Sequence, residues 1–465
     1  MVLACLKCSR PRAAACKAEA VGAPPTGKLA RGAVGTLAMA RVGVARLGRQ
    51  TRKLTRSGAG QAQAQRQFEE ELGRILFGAL NQLKGTALKL SQLLSAHADF
   101  LPEAVRTELA KGGYQVTPLN RALVHKVFRG EFGQAPEQLF AHFEGKAFAA
   151  ASLGQVHHAR LADGTAVAVK VQYPGISASI RSDLAMLRAM LYTFGGDLLP
   201  RRALVEQVMD EIASKLAEEL DYEHEAGQLA WFRQHVHMSG ITIPAAIATH
   251  SSRRVLTMQC LDGLHLDQWL ATHPGQQDRD HFGQLLFDWF CYSFFELGRL
   301  NADPHPGNFL LMPSGELGLL DFGCTRAVAP EFRDTLARGW SAALRAGSAA
   351  SCPELRRTYV ELQLIADDVS QEVFDRELMP AVAPILAWQL EPFRHPRCDF
   401  GARLPVPRAD PASARVLASF ARAMHPDLPY FDRAYFGVMQ LLKTLRANVR
   451  TENGWINGNL KGEEK

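Results

Sequence analysis

The 465-residue chain has no uninterrupted apolar run of 18 residues or more, so it lacks the segment a transmembrane helix requires. Its best candidate, Leu285-Leu-Phe-Asp-Trp-Phe-Cys-Tyr-Ser-Phe-Phe295, is short, carries Asp288 and reads as a buried helix. The terminal stretch 453–465 is polar, which speaks against a membrane anchor there. Acidic residues are almost missing before Phe68: Glu19 stands alone, while Lys and Arg recur from Lys7 to Arg66. No clean apolar stretch follows the first basic residues, which argues against a secretory signal. Of eight cysteines only Cys5-x-x-Cys8 has a metal-like interval, and no second pair follows it. A zinc site or disulfide framework is therefore not expected, and the other thiols read as reduced ones of an intracellular protein. The net charge of +6 is too small to mark a nucleic-acid binder. No internal repeat is visible.

With 47% hydrophobic residues, the chain can bury at least one large core. Its most informative stretch is Asp303-Pro-His-Pro-Gly-Asn308, followed by Asp321-Phe-Gly323. A carboxylate, an amide five residues on and a second carboxylate are the groups a protein-kinase-like catalytic loop needs. There the first Asp faces the nucleophile, while the Asn and the Asp-Phe-Gly aspartate hold Mg²⁺ against the phosphates. Asn301-Ala302 stands where a kinase has His-Arg. Between the metal ligands, Phe309-Leu-Leu-Met312 and Leu317-Gly-Leu-Leu320 flank Pro-Ser-Gly. That pattern predicts a hairpin that sets Asn308 and Asp321 at one end of a small sheet.

Upstream, Ala149-Ala-Ala151-Ser-Leu-Gly154-Gln-Val156 keeps the spacing of a glycine-rich phosphate loop but places Ala at the first two glycine positions. Without glycine's freedom the loop should be stiffer, with two methyl groups near the phosphates. Val167-Ala-Val-Lys170 follows the turn Ala162-Asp-Gly164. The alternation predicts two strands in a hairpin with Lys170 on the second. A lysine in an apolar strand is costly unless paired or bound to phosphate. Its partner should come from residues 203–234, where Leu204, Val208, Ile212, Leu216 and Leu220 keep helical spacing. That stretch holds Glu218, Glu219, Asp221, Glu223 and Glu225, and spacing alone does not choose among them.

Together these motifs resemble the UbiB (AarF-type) family of atypical kinases, which includes the kinases of ubiquinone biosynthesis. The similarity covers roughly residues 70–330 and includes Glu219-Leu-Asp-Tyr222 with Glu225-Ala226. An alanine-rich phosphate loop is a mark of that family. The resemblance implies an α+β, bilobal protein-kinase-like fold with a small β-containing N-lobe, a helical C-lobe and an N-terminal helical extension. It implies ATP and Mg²⁺ as cofactors, with Asp303, Lys170 and Glu225 catalytic and Asn308 and Asp321 on the metal. The nucleotide would meet Ala149, Ala150, Ala151, Ser152, Gly154, Val156 and Lys170, and its adenine the backbone around Gln259 to Leu261 after the apolar strand from Val255.

The family's Lys-x-Gly-Gln motif falls at Lys89-Leu-Ser91-Gln92, with Ser for Gly. By analogy the face that Lys89 and Gln92 share lies over the active site, where Lys89 meets Glu219 or Asp221 and obstructs the place of a peptide substrate. Leu72, Leu76, Leu80, Leu83, Leu90 and Leu94 mark the apolar face of this helical extension. Because Glu219 and Asp221 are two apart, a straight helix cannot aim both at Lys89. Either the helix is distorted near Leu220, or one carboxylate serves another partner. Ala329-Pro-Glu331 looks like the end of a kinase activation segment but begins six residues after Gly323, too soon to leave room for one. It reads instead as a helix start with Pro330 in the first turn, and ordinary protein phosphorylation is not expected.

The expected organisation is a basic arm over 1–66, the helical extension over 67–118, an N-lobe over 119–260, a C-lobe over 261–452 and a polar tail over 453–465. Beyond Pro330 the sequence reads as helices with Pro-rich breaks and no chemistry. Three readings of the arm stay open: a lipid-touching basic segment, an organelle transit peptide, or a solvated tail or upstream extension before a start near Met39. The resemblance implies a role in ubiquinone or other isoprenoid-lipid metabolism, with isoprenoid lipid or quinone-biosynthesis proteins as partners. The implied location is cytoplasmic with peripheral membrane contact, or mitochondrial in a eukaryote. The competing function is a non-catalytic nucleotide-binding scaffold or lipid-carrying pseudokinase; small-molecule phosphorylation ranks third.

Overall fold

The computed structural model describes residues 58–82, 90, 94, 103–110, 120–151, 153–194, 202–347, 351–407, 410–420 and 424–456. The chain divides into two compact units, one drawn from 1–116 and 175–213, the other from 117–174 and 214–465. The first unit therefore takes part of the stretch 119–260 that reads as one lobe in the sequence.

In the first unit, helix α1 (Gly58–Gln82) packs against α2 (Glu103–Ala110). Leu72, Leu76 and Leu80 of α1 are buried, as are Leu90 and Leu94, which is the apolar face expected from their spacing. Leu83, Lys89 and Gln92 lie outside the described residues. The two helices approach closely at Gly73, where a β-carbon would lie 2.8 Å from Glu108 Cβ. Helix α4 (Ile176–Phe194) is tied to α5 (Arg202–Glu219) by Arg188, which pairs with Glu206 at 3.0 Å and Asp210 at 3.1 Å.

In the second unit, a five-stranded antiparallel sheet has the order β1 (His142–Phe143), β3 (Gly154–Arg160), β4 (Ala166–Gln172), β6 (Val255–Gln259), with β2 (Ala149–Ala151) also on β3. The hairpin predicted at Ala162-Asp-Gly164 is present: Asp163 accepts from the Thr165 amide and Gly164 takes the left-handed φ of +86° that the turn needs. One face of the sheet carries Ala159, Val167, Val169, Val171 and Val255. They form a separate small core with Val124, Val127 and Phe128 of helix α3 (Arg121–Phe132). The opposite face carries Val156, Lys170 and Gln172, since Val156 pairs with Lys170 and Gly154 with Gln172.

The sequence pattern over 203–234 does not form one helix. Helix α5 ends at Glu219, the amides of Leu220 and Asp221 turn back to the carbonyls three residues earlier, and α6 (Tyr222–His235) starts afresh. Asp221 caps α6 by accepting from the His224 amide at 3.0 Å. Gln172 and Arg253 hold the break: the Gln172 side chain donates to Leu220 O at 2.7 Å, and the Tyr222 amide donates to Arg253 O. Both alternatives posed by the Glu219–Asp221 spacing are therefore realised.

The larger core joins α6 to the helical half of this unit. Its members include Phe232, Phe287, Phe290, Phe294, Phe322, Phe431 and Tyr435. Helix α7 (Gln276–Cys291) is the buried helix expected around Leu285 and leads toward β7 (Arg299–Asn301). Strands β8 (Phe309–Leu311) and β9 (Leu317–Leu319) form the expected antiparallel hairpin, with β5 (Ile241–Thr242) parallel to β9. After Asp-Phe-Gly, β10 (Thr325–Ala327) pairs with β7, and helix α8 (Pro330–Arg345) starts at Pro330. Helix α9 (Leu428–Leu445) packs on α7 near the end of the described chain.

Candidate functional site

Lys170 is the meeting point of the site. Its ammonium donates to both carboxylate oxygens of Glu225, at 2.8 and 2.9 Å, and to Asp321 Oδ2 at 3.3 Å. Restarting the helix at Tyr222 is what chooses Glu225 from the five acids of this stretch, because it lies one turn into α6 and faces β4. The Lys170 and Glu225 side chains are 13% and 5% exposed. Burial works against the Lys170 ammonium, but Asp321 and Glu225 outweigh it and hold its pKa well above the ordinary lysine range. Burial, with the Asp321 carboxylate adding to it, pushes the Glu225 carboxyl up to about 7 against the pull of Lys170.

Tyr222 lies beneath this triad. Lys170 Nζ stands 4.9 Å from the centre of its ring. Its hydroxyl is buried with no hydrogen-bond partner among the described residues, beside Gly154 of the alanine loop. A β-carbon on Gly154 would come 3.0 Å from that hydroxyl and 2.4 Å from Val171 O, so the loop can close here only with glycine. Ala151 pairs with Gly154, making the loop the tip of the β2–β3 hairpin. The Ala150 side chain and all of Ser152 lie outside the described residues.

On the other side of Lys170 the catalytic loop and Asp-Phe-Gly are tied together. Asn301, in the place of a kinase histidine, donates from Nδ2 to Asp321 O at 2.8 Å and accepts from the Asp303 amide at 3.0 Å. The Asn308 amide donates to Asp303 O at 2.8 Å and Asp303 Oδ2 at 3.2 Å. That use of the nitrogen leaves Asn308 Oδ1 for a cation. Asp321 Oδ1 accepts from the Gly323 amide at 2.8 Å. Phe322 is fully buried and stacks on Phe232 of α6, with centroids 4.4 Å apart. The Lys–Glu pair of a kinase-type site is thus formed, and Phe322 is packed inward while Asp321 faces Lys170.

These residues suit a magnesium nucleotide. No cluster of three or more His, Cys, Asp or Glu able to hold a metal exists among the described residues. The donors present, the Asp321 carboxylate and the Asn308 side-chain oxygen, fit an ion that keeps few protein ligands and completes its shell with substrate phosphates and water. The orphaned Tyr222 hydroxyl and the glycine-only closure beside it fit a phosphate cradle. In the segment expected to meet adenine, the Gln259 and Cys260 amides already donate to Ala245 O and Ala166 O. Leu261 is the one of the three whose amide donates to nothing among the described residues.

Glu219 ends α5, and Asp221 is committed to its cap. The proposed contact of either with Lys89 or Gln92 involves residues outside those described. The sequence reading missed Arg433. From α9, Arg433 Nη2 donates to Asp303 Oδ1 at 2.9 Å, in a region that reads as free of chemistry. No local pattern marks it, because the pair is 130 positions apart.

Comparisons with known proteins agree with this geometry. A family model described as an ABC1 atypical kinase-like domain matches residues 112–351, and the chain belongs to this family, the UbiB group of atypical kinases. It is similar to the uncharacterized protein sll0005 of Synechocystis, 32% identical over 54% of this chain and 37% of that protein. It is also similar to the mitochondrial atypical kinase COQ8B of Rattus norvegicus, 35% identical over 54% of this chain and 48% of that protein. The chain thus spans about half or less of the length of these relatives. Among solved structures, the Rv3197–erythromycin complex from Mycobacterium tuberculosis matches with a TM-score of 0.59 and 26% identity, covering 85% of this chain and 99% of that one. The fold is a kinase-like domain of mixed α and β content. No helix of the described residues is long and apolar enough to cross a membrane.

Proposed function

We propose that this protein is an ATP-binding, Mg²⁺-dependent atypical kinase or ATPase of the UbiB type. The observation that carries this reading is Lys170 bridging Glu225 at 2.8 Å and Asp321 at 3.3 Å while Asn308 holds Asp303. Two carboxylates, an amide and a paired lysine are thereby gathered where phosphoryl transfer needs them, and that chemistry asks for little beyond positioning and charge.

Lys170 and the 149–154 loop would hold the phosphates, and the Leu261 amide would meet the adenine edge. Asn308 and Asp321 would hold Mg²⁺, which supplies positive charge against the β- and γ-phosphates. Asp303 would take the proton of an attacking hydroxyl or water. A new oxygen–phosphorus bond forms as the bond to the bridging oxygen of the leaving ADP breaks. The five residues between Gly323 and Ala329 are too few for a peptide platform, which favours a small acceptor or water over a protein. Membership of the UbiB family extends this reading to a role in ubiquinone or another isoprenoid-lipid pathway, with a quinone-biosynthesis partner and peripheral membrane contact.

The test is turnover of γ-labelled ATP by wild type, Asp303→Asn and Asp321→Asn, with and without EDTA. Mg²⁺-dependent release or transfer of label by wild type, lowered on the order of 10²-fold or more in both variants, is expected. Wild-type-like turnover in Asp321→Asn would remove that residue from the metal site. Nucleotide binding without any turnover would favour the scaffold reading instead.

A further inference from the structure

Helix α9 is joined to the catalytic loop at two points on one face. Arg433 donates to Asp303 Oδ1 at 2.9 Å. Four residues on, a β-carbon at Gly437 would lie 2.1 Å from Pro304 Cγ, so the helix backbone rests directly on the residue after Asp303. The Asp303 carboxylate is held on both oxygens, Oδ1 by Arg433 and Oδ2 by Asn308. Ala302, buried beside it, has only a methyl group and cannot share in these hydrogen bonds.

The same helix holds the segment that follows Asp-Phe-Gly. Asp427, the residue before α9, accepts from Arg326 Nε at 2.6 Å and from the Ala329 amide at 3.1 Å. The Arg326 guanidinium lies 4.5 Å from the ring centre of Tyr430, and the Lys215 ammonium lies 4.8 Å from it. Kinases with an activation segment order it through arginine–phosphate pairs. Here β10 and Asp303 are both held through contacts from α9 and the residue before it.

We infer that Arg433 is a positioning residue for the transfer step, acting through Asp303. The guanidinium fixes the direction of the carboxylate, and Gly437 lets α9 come close enough for it to do so. This inference rests on the phosphotransfer reading above.

It is tested by a mutant cycle on MgATP turnover with labelled ATP, comparing wild type, Arg433→Gln, Asp303→Asn and the double variant. The expected result is a fall in kcat of about 10²-fold for Arg433→Gln, with KM for ATP within about threefold of wild type. The double variant should be no slower than Asp303→Asn, because the arginine acts through a carboxylate that is then gone. Nucleotide-induced thermal stabilisation should match wild type in every variant. Losses that multiply in the double variant, or a rise in KM with unchanged kcat, would overturn the inference. If Arg433→Gln does not fold, Arg433→Lys is read in the same cycle, since it keeps the charge and loses the fork. Absence of turnover in wild type would overturn the phosphotransfer reading itself, and this inference with it.

Discussion

At the scale of single residues, the site depends on one cation between two carboxylates. Lys170 is legible in the sequence as an expensive lysine in an apolar strand, but Glu225 is not separable there from four neighbouring acids. Lys170→Ala leaves Glu225 and Asp321 facing each other without the ammonium. Breaking a buried pair costs about 3–5 kcal/mol. The cost depends on pH through Glu225. Its native pKa of about 7 lies above its ordinary 4.5, so the native state binds this proton more tightly than the unfolded chain. This group's contribution to stability therefore falls as pH rises from about 4.5 to about 7 and is flat outside that window. Lys170, whose native pKa is raised, contributes its stability below pH 10.5 and loses it only above. The Lys170→Ala penalty should accordingly be larger at pH 8, where Glu225 is charged, than at pH 5.5, where it can protonate. Denaturant midpoints at the two pH values measure this, and equal penalties would contradict it.

At the scale of elements, hairpins and apolar helix faces were readable because their signals are local. The Asp-Gly turn, the Phe309–Leu319 hairpin and the buried leucines of α1 all follow from periods of two or about four. The division of 203–234 into α5 and α6 was legible only as one of two alternatives posed by Glu219 and Asp221, because the apolar spacing runs through Leu220 without pause. Tertiary bonds from Gln172 and Arg253 impose it. Asp221 then works as a helix cap. Asp221→Ala should cost about 1 kcal/mol, whereas Asp221→Asn, an equally good cap, should cost close to nothing. Thermal unfolding of the two variants separates capping from a charge-dependent role, in which both would be impaired. The α9 contacts were invisible for a different reason. Arg433 and Gly437 acquire meaning only when the fold brings α9 onto Asp303 and Pro304.

At the scale of the molecule, a valine-rich sheet core and a phenylalanine-rich helical core lie in one unit, joined through α6 and β6. Phe322 stacked on Phe232 and Lys170 bonded to Glu225 tie these parts together at the site proposed for a magnesium nucleotide. The family could be recognised from motifs because they report residues that nucleotide chemistry keeps together. The acceptor and partners leave no comparable local mark.

The most direct test is thermal unfolding of wild type and Asp321→Asn with MgATP, with ATP plus EDTA, and without ligand. At 100 times its dissociation constant, nucleotide should stabilise wild type by about 2.7 kcal/mol. The account predicts that this shift needs Mg²⁺ and is reduced in Asp321→Asn. No shift at millimolar MgATP, or an equal shift in the variant, would contradict it.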